Sequence, residues 1–172
     1  SADQMLAIND YRAGERAFQL MTQAAGRAGR AERPGRVLLQ AFDVDDYAVQ
    51  SAAAHDYLRF YQEEISFRRF LNYPPYGVLG HILLAGTHEI EVRKWAQRMS
   101  EHLASVQAAR PRLADTTVTE PLPDAMYKLG GRYRMQINLR SKQEAAIAEL
   151  LHAVRTLTLP RGLTVAYGMD PA

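Results

Sequence analysis

The chain has 172 residues, of which 47% are hydrophobic and 23% charged, values that fit one compact domain or a small domain with an appendage. The formal net charge is only +2, so any nucleic-acid-binding surface must come from a local cluster of basic residues. The absence of cysteine excludes disulfide scaffolds, thiol chemistry and zinc ribbons within this sequence. With neither a disulfide framework nor a signal peptide, we expect a cytoplasmic protein. No apolar run approaches the roughly 20 residues that cross a bilayer, so we expect no membrane partner.

The first half of the chain predicts a helix, a buried strand and a second, long helix. Residues 12–28 carry apolar side chains at helical spacing, and 33–36 contain a Pro-Gly turn signal. The almost continuous apolar run 37–42 is typical of a strand buried on both faces. Three aspartates then offer N-caps for one helix over 46–71. That helix ends before Tyr73-Pro74-Pro75, because the residue before a proline is pushed out of the helical region. The apolar stripe of the first helix comprises Ala17, Leu20, Met21, Ala24 and Ala25.

The second half predicts alternating strands and helices. Strands are expected at 78–85, 116–120, 132–140 and 163–167, and helices at 88–108 and 143–157. Each helix has one apolar stripe, which comprises Val92, Trp95, Ala96, Met99, Leu103 and Val106 in the first and Ile147, Leu150, Leu151, Val154 and Leu157 in the second. The order βαββαβ predicts a ferredoxin-like domain of the α+β class, with two helices on one face of an antiparallel sheet.

The most specific motif is Gln23-Ala24-Ala25-Gly26-Arg27-Ala28-Gly29-Arg30. It matches the Q-x-x-G-R-x-x-R pattern of motif VI in superfamily 2 helicases. A planar guanidinium stabilises the negative charge that spreads over a γ-phosphate during phosphoryl transfer. Arg27 and Arg30 are therefore candidate arginine fingers, and Gln23, Gly26 and Gly29 are candidate nucleotide contacts.

Two other interpretations of this octapeptide remain open. It is consistent with a solvated basic helix end followed by a turn. Residues 26–29 also have the GXXG form of the loop with which KH domains clamp a nucleic-acid backbone, although the flanking strands do not follow the KH order.

The residues around the octapeptide resemble a known family. The stretch D-Y-R-A-G-E-R-A-F-Q-L at 10–20 runs directly into it, and together they resemble the motif V to motif VI junction of the PriA family of bacterial replication-restart helicases. The resemblance continues through 34–37 and through 55–76, which includes Tyr73-Pro74-Pro75-Tyr76. The Gly-Arg-Tyr-Arg element at 131–134 and the closing Met169-Asp170-Pro171 also fit that family.

This resemblance implies a full-length enzyme that couples ATP hydrolysis with Mg²⁺ to 3′→5′ DNA unwinding and also binds zinc. It implies as partners single-stranded and forked DNA, single-stranded DNA-binding protein, primosome proteins and the loader of the replicative helicase, in a nucleoid-associated setting. The present sequence has no phosphate-binding P-loop, no DEAH-like magnesium motif and no cysteines for zinc. Together with a first residue that is not methionine, this predicts a C-terminal piece without ATPase activity of its own.

The strand 132–140 is the second candidate site. Its odd-numbered residues are apolar and its even-numbered residues polar, so the sheet face that carries Arg132, Arg134, Gln136, Asn138 and Arg140 can contact phosphates and bases. A plain solvated face is the alternative. The PriA resemblance implies an S10-like C-terminal domain that contacts single-stranded DNA and its binding protein, which favours the functional interpretation. Lys128 is predicted to extend the same patch.

Other polar groups are expected to be structural. The five histidines have no metal-ligand spacing, and His55-Asp56 is only a dipeptide match to phosphohydrolases. Glu63-Glu64 and Arg68-Arg69 are expected to form weak charge contacts along one helix. The aromatic residues Phe60, Tyr61, Phe67 and Phe70 are expected to pack against neighbouring domains.

The predicted organisation has three parts. Residues 1–45 form a remnant of the second RecA-like helicase lobe, 46–71 a bridging helix and 72–172 the S10-like domain. Because the strand 37–42 has lost its sheet partners, we hypothesise dimerisation or alternative docking of this chain. A stand-alone S10-like nucleic-acid-binding module without a helicase role, or a ribosome-associated RNA-binding protein, is the alternative function.

Overall fold

The chain divides into two compact units, Ser1–Phe70 and Leu71–Ala172. The computed structural model describes residues 10–28 and 37–170. Within the described part, the first unit contains helices only: α1 (Ala13–Ala28), α2 (Tyr47–Ala53) and α3 (Tyr57–Leu71). The second unit combines helices with an antiparallel sheet, which confirms the predicted α+β class.

Helix α1 confirms the predicted helix, but a different face is buried. Ala17, Phe18 and Met21 are buried against α2 and α3, whereas Leu20 is 48% exposed. The predicted stripe was therefore rotated, because Phe18, which stacks on Phe60 with ring centroids 4.2 Å apart, directs the packing.

The single helix predicted over 46–71 is wrong, because the structure has two helices, α2 and α3. His55 has a φ of +54°, a left-handed conformation that interrupts a right-handed helix. Asp56 then starts α3, and its side chain accepts a hydrogen bond from the backbone N–H of Arg59 at 2.9 Å. Helical spacing continues across this break, so periodicity alone did not reveal it.

The predicted buried strand 37–42 is also wrong. The structure assigns no strand there, and Leu38 and Phe42 are 93% and 97% exposed. A β-strand is stabilised by hydrogen bonds to neighbouring strands. The described part of the first unit offers none, so this apolar run remains exposed.

The second unit contains a five-stranded sheet and two long helices. Its strands are β1 (Val78–Gly86), β2 (Thr117–Val118), β3 (Leu122–Leu129), β4 (Arg132–Ser141) and β5 (Leu163–Asp170). The order across the sheet is β2-β4-β1-β5, and β3 pairs with the same side of β4 as β2. The pairing of β1 with both β4 and β5 is antiparallel.

The helices α4 (Glu89–Ala108) and α5 (Glu144–Arg155) form the hydrophobic core with the sheet. Both predicted stripes are confirmed: Val92, Met99, Ile147 and Leu150 are at most 1% exposed. The side chains of these stripes pack against alternate residues of β1 and β4, such as Ile82. One face of the sheet is therefore covered by helices.

Strand β3 was not predicted. Its sequence contains Pro123, which removes a backbone donor and disfavours a central strand. Proline is tolerated here because β3 is paired with another strand, β4, along one of its two edges only. A register shift between Pro123 and Lys128 places extra residues in β3 opposite β4.

Candidate nucleic-acid interface

Strand β4 divides its side chains between the core and the opposite face. Met135, Ile137 and Leu139 are at most 5% exposed and belong to the core. The predicted polar set Arg132, Arg134, Gln136, Asn138 and Arg140 alternates with them and is half-buried. The predicted alternation is confirmed, and it places the polar set on the face that the helices do not cover.

The three arginines of this face are held by neighbours in the same unit. Arg132 Nη2 donates to the carbonyl oxygen of Ala85 at 2.9 Å and to Thr164 Oγ1 at 2.8 Å. Arg134 forms an ion pair with Asp124 at 3.6 Å. The guanidinium of Arg140 lies 5.2 Å from the ring centroid of Tyr73. These contacts hold the guanidinium groups close to the sheet surface.

The uncovered face continues across β1 and β5. His81 of β1 is exposed, and it is paired with Asn138 on one side and Gly168 on the other. The next row toward the start of β4 pairs Gln136 with Leu83. On β5, Leu83 is paired with Ala166. The uncovered face is thus basic and amide-rich along β4 and carries smaller side chains along β5.

Lys128 is not placed as the sequence predicted. It is paired with Tyr133, and its Nζ donates to Tyr133 Oη at 3.2 Å and lies 4.7 Å from the ring centroid. Tyr133 packs against the core, so Lys128 lies on the core side of β4 rather than beside the arginines. The sequence could not show this, because the irregular pairing of β3 decides the direction of its side chains.

The described residues of the predicted motif VI lie in the C-terminal part of α1. Gln23, Gly26 and Arg27 are exposed there. Gly29 and Arg30 lie outside the described residues. Gln23 also borders a cavity of about 490 Å³ between α1 and α3, which is lined mainly by aromatic and charged side chains.

A buried polar network joins the three helices of the first unit, and sequence patterns did not reveal its extent. Tyr47 Oη donates to Glu64 Oε2 at 2.5 Å, and Arg68 Nε donates to Glu64 Oε1 at 2.6 Å. Arg68 Nη2 donates to Glu15 Oε2 at 2.8 Å, so the network reaches α1. Glu64 is only 7% exposed. The expected contact between Glu64 and Arg68 within one helix is confirmed. The same two residues also connect α3 to α1 and α2, which the sequence did not indicate.

The network also shifts proton affinities. Burial, and then the hydrogen bond to Glu64, raise the pKa of Tyr47 well above its ordinary value. Burial alone lowers the pKa of Arg68, but its hydrogen bonds to Glu64 and Glu15 outweigh that effect and leave the pKa raised. Tyr47 therefore remains a proton donor and Arg68 a cation at neutral pH.

Two kinds of site are absent from the described residues. Among 10–28 and 37–170, no three histidine, aspartate or glutamate side chains are grouped so that they could hold a metal ion. Over the same part of the chain, no helix is both long and apolar enough to span a membrane.

Comparison with known proteins decides the family. Residues 69–172, which include the whole sheet, match the family described as primosomal protein N C-terminal domain. The chain belongs to this family. The matched region includes the uncovered sheet face and its arginines.

Curated relatives match this chain beyond the C-terminal domain, over most of its length. The "Replication restart protein PriA" of Bacillus subtilis is 40% identical over 154 residues, which cover 90% of this chain and 18% of the relative. The protein of the same name from Synechocystis is 36% identical over 171 residues, which cover 99% of this chain and 20% of the relative. The chain thus spans about a fifth of the length of these relatives. The predicted resemblance to the C-terminal part of PriA is confirmed.

Among solved structures, the "De novo designed protein Foldit4" overlaps 56% of this chain and 98% of its own, with a TM-score of 0.42 and 17% identity. That likeness is too weak to assign a fold family.

Proposed function

We propose that the chain is the C-terminal part of a replication-restart DNA helicase and that its second unit binds single-stranded DNA on the uncovered sheet face. The family and the names of the curated relatives support the restart role. Within the full-length enzyme, this unit would hold DNA while the helicase lobes hydrolyse ATP and unwind the fork.

The observation that carries the proposal is the composition of one sheet face. Three arginines and two amides of β4 share the side that the helices leave open. Arginine forks bind phosphates, and amides form hydrogen bonds with base edges. The net charge of the chain is only +2, so three arginines on one strand are a local concentration of positive charge. Such a concentration favours the binding of a polyanion.

The finer fold assignment belongs to the same proposal. The observed order of strands and helices is βαββαβ with β3 added, and this supports an S10-like or ferredoxin-like domain. The exposed apolar segment 37–42 supports the interpretation that residues 1–45 come from a RecA-like lobe, in which this segment would be a strand of a larger sheet.

The ATP-dependent chemistry is proposed for the full-length enzyme alone. ATP and Mg²⁺ would bind between helicase lobes, and Gln23, Gly26, Arg27, Gly29 and Arg30 would meet the phosphates from one side. Zinc would bind to a part of the enzyme that lies outside this sequence. We expect the present chain alone to be inactive as an ATPase, because its sequence has no P-loop.

The proposed partners follow from the restart role. Besides forked and single-stranded DNA, we include single-stranded DNA-binding protein, primosome proteins and the loader of the replicative helicase. This assembly would act on the bacterial nucleoid in the cytoplasm.

Fluorescence anisotropy with labelled single-stranded DNA at several salt concentrations tests the DNA-binding proposal. We expect salt-dependent binding by the wild type. We expect an Arg132→Ala/Arg134→Ala/Arg140→Ala variant to bind more weakly and with a smaller salt slope, because each lost phosphate contact reduces the slope by about one.

A matched control removes the same charge from the helix layer. Lys94, Arg98 and Arg155 are exposed on α4 and α5, and their replacement by alanine should leave affinity unchanged. Equal losses in both triple variants would mean that net charge, and not the sheet face, determines binding. No binding by the wild type would contradict the proposal for this chain. Circular dichroism verifies that each variant is folded.

A further inference from the structure

The most unusual side chain of the uncovered face is His81. It is the most exposed residue of β1, although β1 is paired on both sides, with β4 and with β5. A residue in an interior strand is exposed only where nothing covers the sheet. His81 therefore lies at the open centre of this face.

The ring of His81 is laid across the sheet toward β5. A Cβ atom at position 168 would lie 3.0 Å from His81 Cε1 and 3.2 Å from Nε2. The end of the imidazole thus lies low over the backbone of Gly168 instead of extending away from the sheet. Glycine weakens a strand, and its presence inside β5 is explained by this close approach.

Charge is distributed unequally around this ring. On the β4 side, Asn138 is directly opposite His81, and Arg140 and Gln136 are its diagonal neighbours. On the β5 side, the corresponding neighbours are Gly168, Ala166 and Asp170. Phosphates are favoured along β4 and disfavoured near Asp170, while the small residues of β5 leave room for a flat group.

We propose that His81, seated on Gly168, is a stacking platform for one nucleobase of a single strand whose phosphates follow β4. Histidine is one of the side chains on which unpaired bases stack in sheet-based nucleic-acid domains. Such contacts tolerate any base, because every base has a π-face. This inference rests on the proposed function and adds the residue that contacts a base and the direction in which the bases point.

The test compares two ligands of equal charge: an oligothymidylate and an abasic oligomer with the same number of phosphates. Wild type should bind the oligothymidylate more tightly. His81→Ala should weaken oligothymidylate binding about 5- to 150-fold, the range of one lost base–aromatic contact. The same variant should bind the abasic oligomer as the wild type does, and its salt slope should be unchanged because no phosphate contact is lost.

Two further variants separate stacking from other roles. His81→Phe keeps a ring without polar atoms, so it should retain tight binding to oligothymidylate. Gly168→Val keeps His81 but displaces its ring, so it should weaken that binding. His81 is exposed, so thermal melting of the two His81 variants should match that of the wild type. Circular dichroism verifies that Gly168→Val is folded.

The outcomes distinguish this inference from the function on which it rests. If the wild type binds neither oligomer, the DNA-binding proposal fails. If it binds both and His81→Ala has no effect on the oligothymidylate, the sheet face binds DNA but His81 is not a platform. Loss of binding in His81→Phe would also overturn the stacking role, because a hydrogen bond would then be responsible.

Discussion

At the scale of single residues, the first unit depends on one buried carboxylate. Glu64 accepts hydrogen bonds from Tyr47 and Arg68, and Arg68 continues the network to Glu15. A buried charge is tolerated only where such partners replace water. The three helices of the first unit each contribute at least one partner to this network.

We predict that Tyr47→Phe destabilises the chain by about 1–3 kcal/mol, the cost of leaving a buried acceptor without one donor. The measurement is urea unfolding followed by circular dichroism. Tyr61→Phe is the control, because Tyr61 belongs to the same unit but is half exposed. An equal effect of the two substitutions would show that the Tyr47 hydrogen bond has no particular importance.

A second residue-scale prediction concerns Arg27, which is exposed at the end of α1. In the full-length enzyme, Arg27→Ala should lower ATP turnover on the order of 10³-fold, the effect of losing an arginine finger, with little change in nucleotide affinity. Arg27→Lys should restore little of it, because lysine lacks the planar fork. Arg59, exposed on α3, provides the control position. Normal turnover by Arg27→Ala would exclude the arginine-finger role.

At the scale of elements, one ion-pair cluster joins α5 to the chain that follows α4. Glu149 of α5 accepts hydrogen bonds from Arg112 at 2.8 and 2.9 Å and also pairs with Arg110. The hydrogen bond from Arg112, assisted by Arg110, holds the pKa of Glu149 below its ordinary value. A carboxylate with a lowered pKa stabilises the fold above its unfolded pKa, and this contribution is lost as the pH falls through the folded value.

We therefore predict that Glu149→Gln lowers the urea midpoint at pH 7 and that the difference from wild type shrinks as the pH falls below about 4.3, the ordinary pKa of glutamate. Glu120→Gln, at an exposed position outside the helices and strands, should have no comparable effect. A difference that persists unchanged at pH 3 would indicate lost packing rather than lost charge.

The elements that the sequence predicted well are those with a single continuous pattern. The stripes of α4 and α5 and the alternation of β4 each fix which face is buried, because burial depends on period alone. The elements that it predicted badly depend on particular partners. The break at His55 depends on the backbone conformation of one residue. The strand β3 and the position of Lys128 depend on an irregular pairing with β4, and neither kind of feature leaves a periodic signal.

At the scale of the whole molecule, the exposed segment 37–42 is the main liability of this chain. Leu38 and Phe42 are almost fully exposed, and large exposed apolar groups mark surfaces that bind other proteins or associate. We predict concentration-dependent self-association in light scattering, which a Leu38→Glu/Phe42→Glu variant should reduce. Ile90→Glu, at a residue that is 82% exposed on α4, is the control. A strictly monomeric wild type would refute the dimerisation hypothesis.

The sequence by itself determined the family, the class of the second unit and the polar face of β4. Each of these depends on a local motif or on the periodic spacing of apolar residues. Both can be recognised from residues that are close together in the sequence. Only the tertiary structure decided the Glu64 network, the placement of Lys128 on the core side and the seating of His81 over Gly168. The reason is physical: these features depend on which residues become neighbours across helices and strands, and that choice is made when the core and the backbone hydrogen bonds form together.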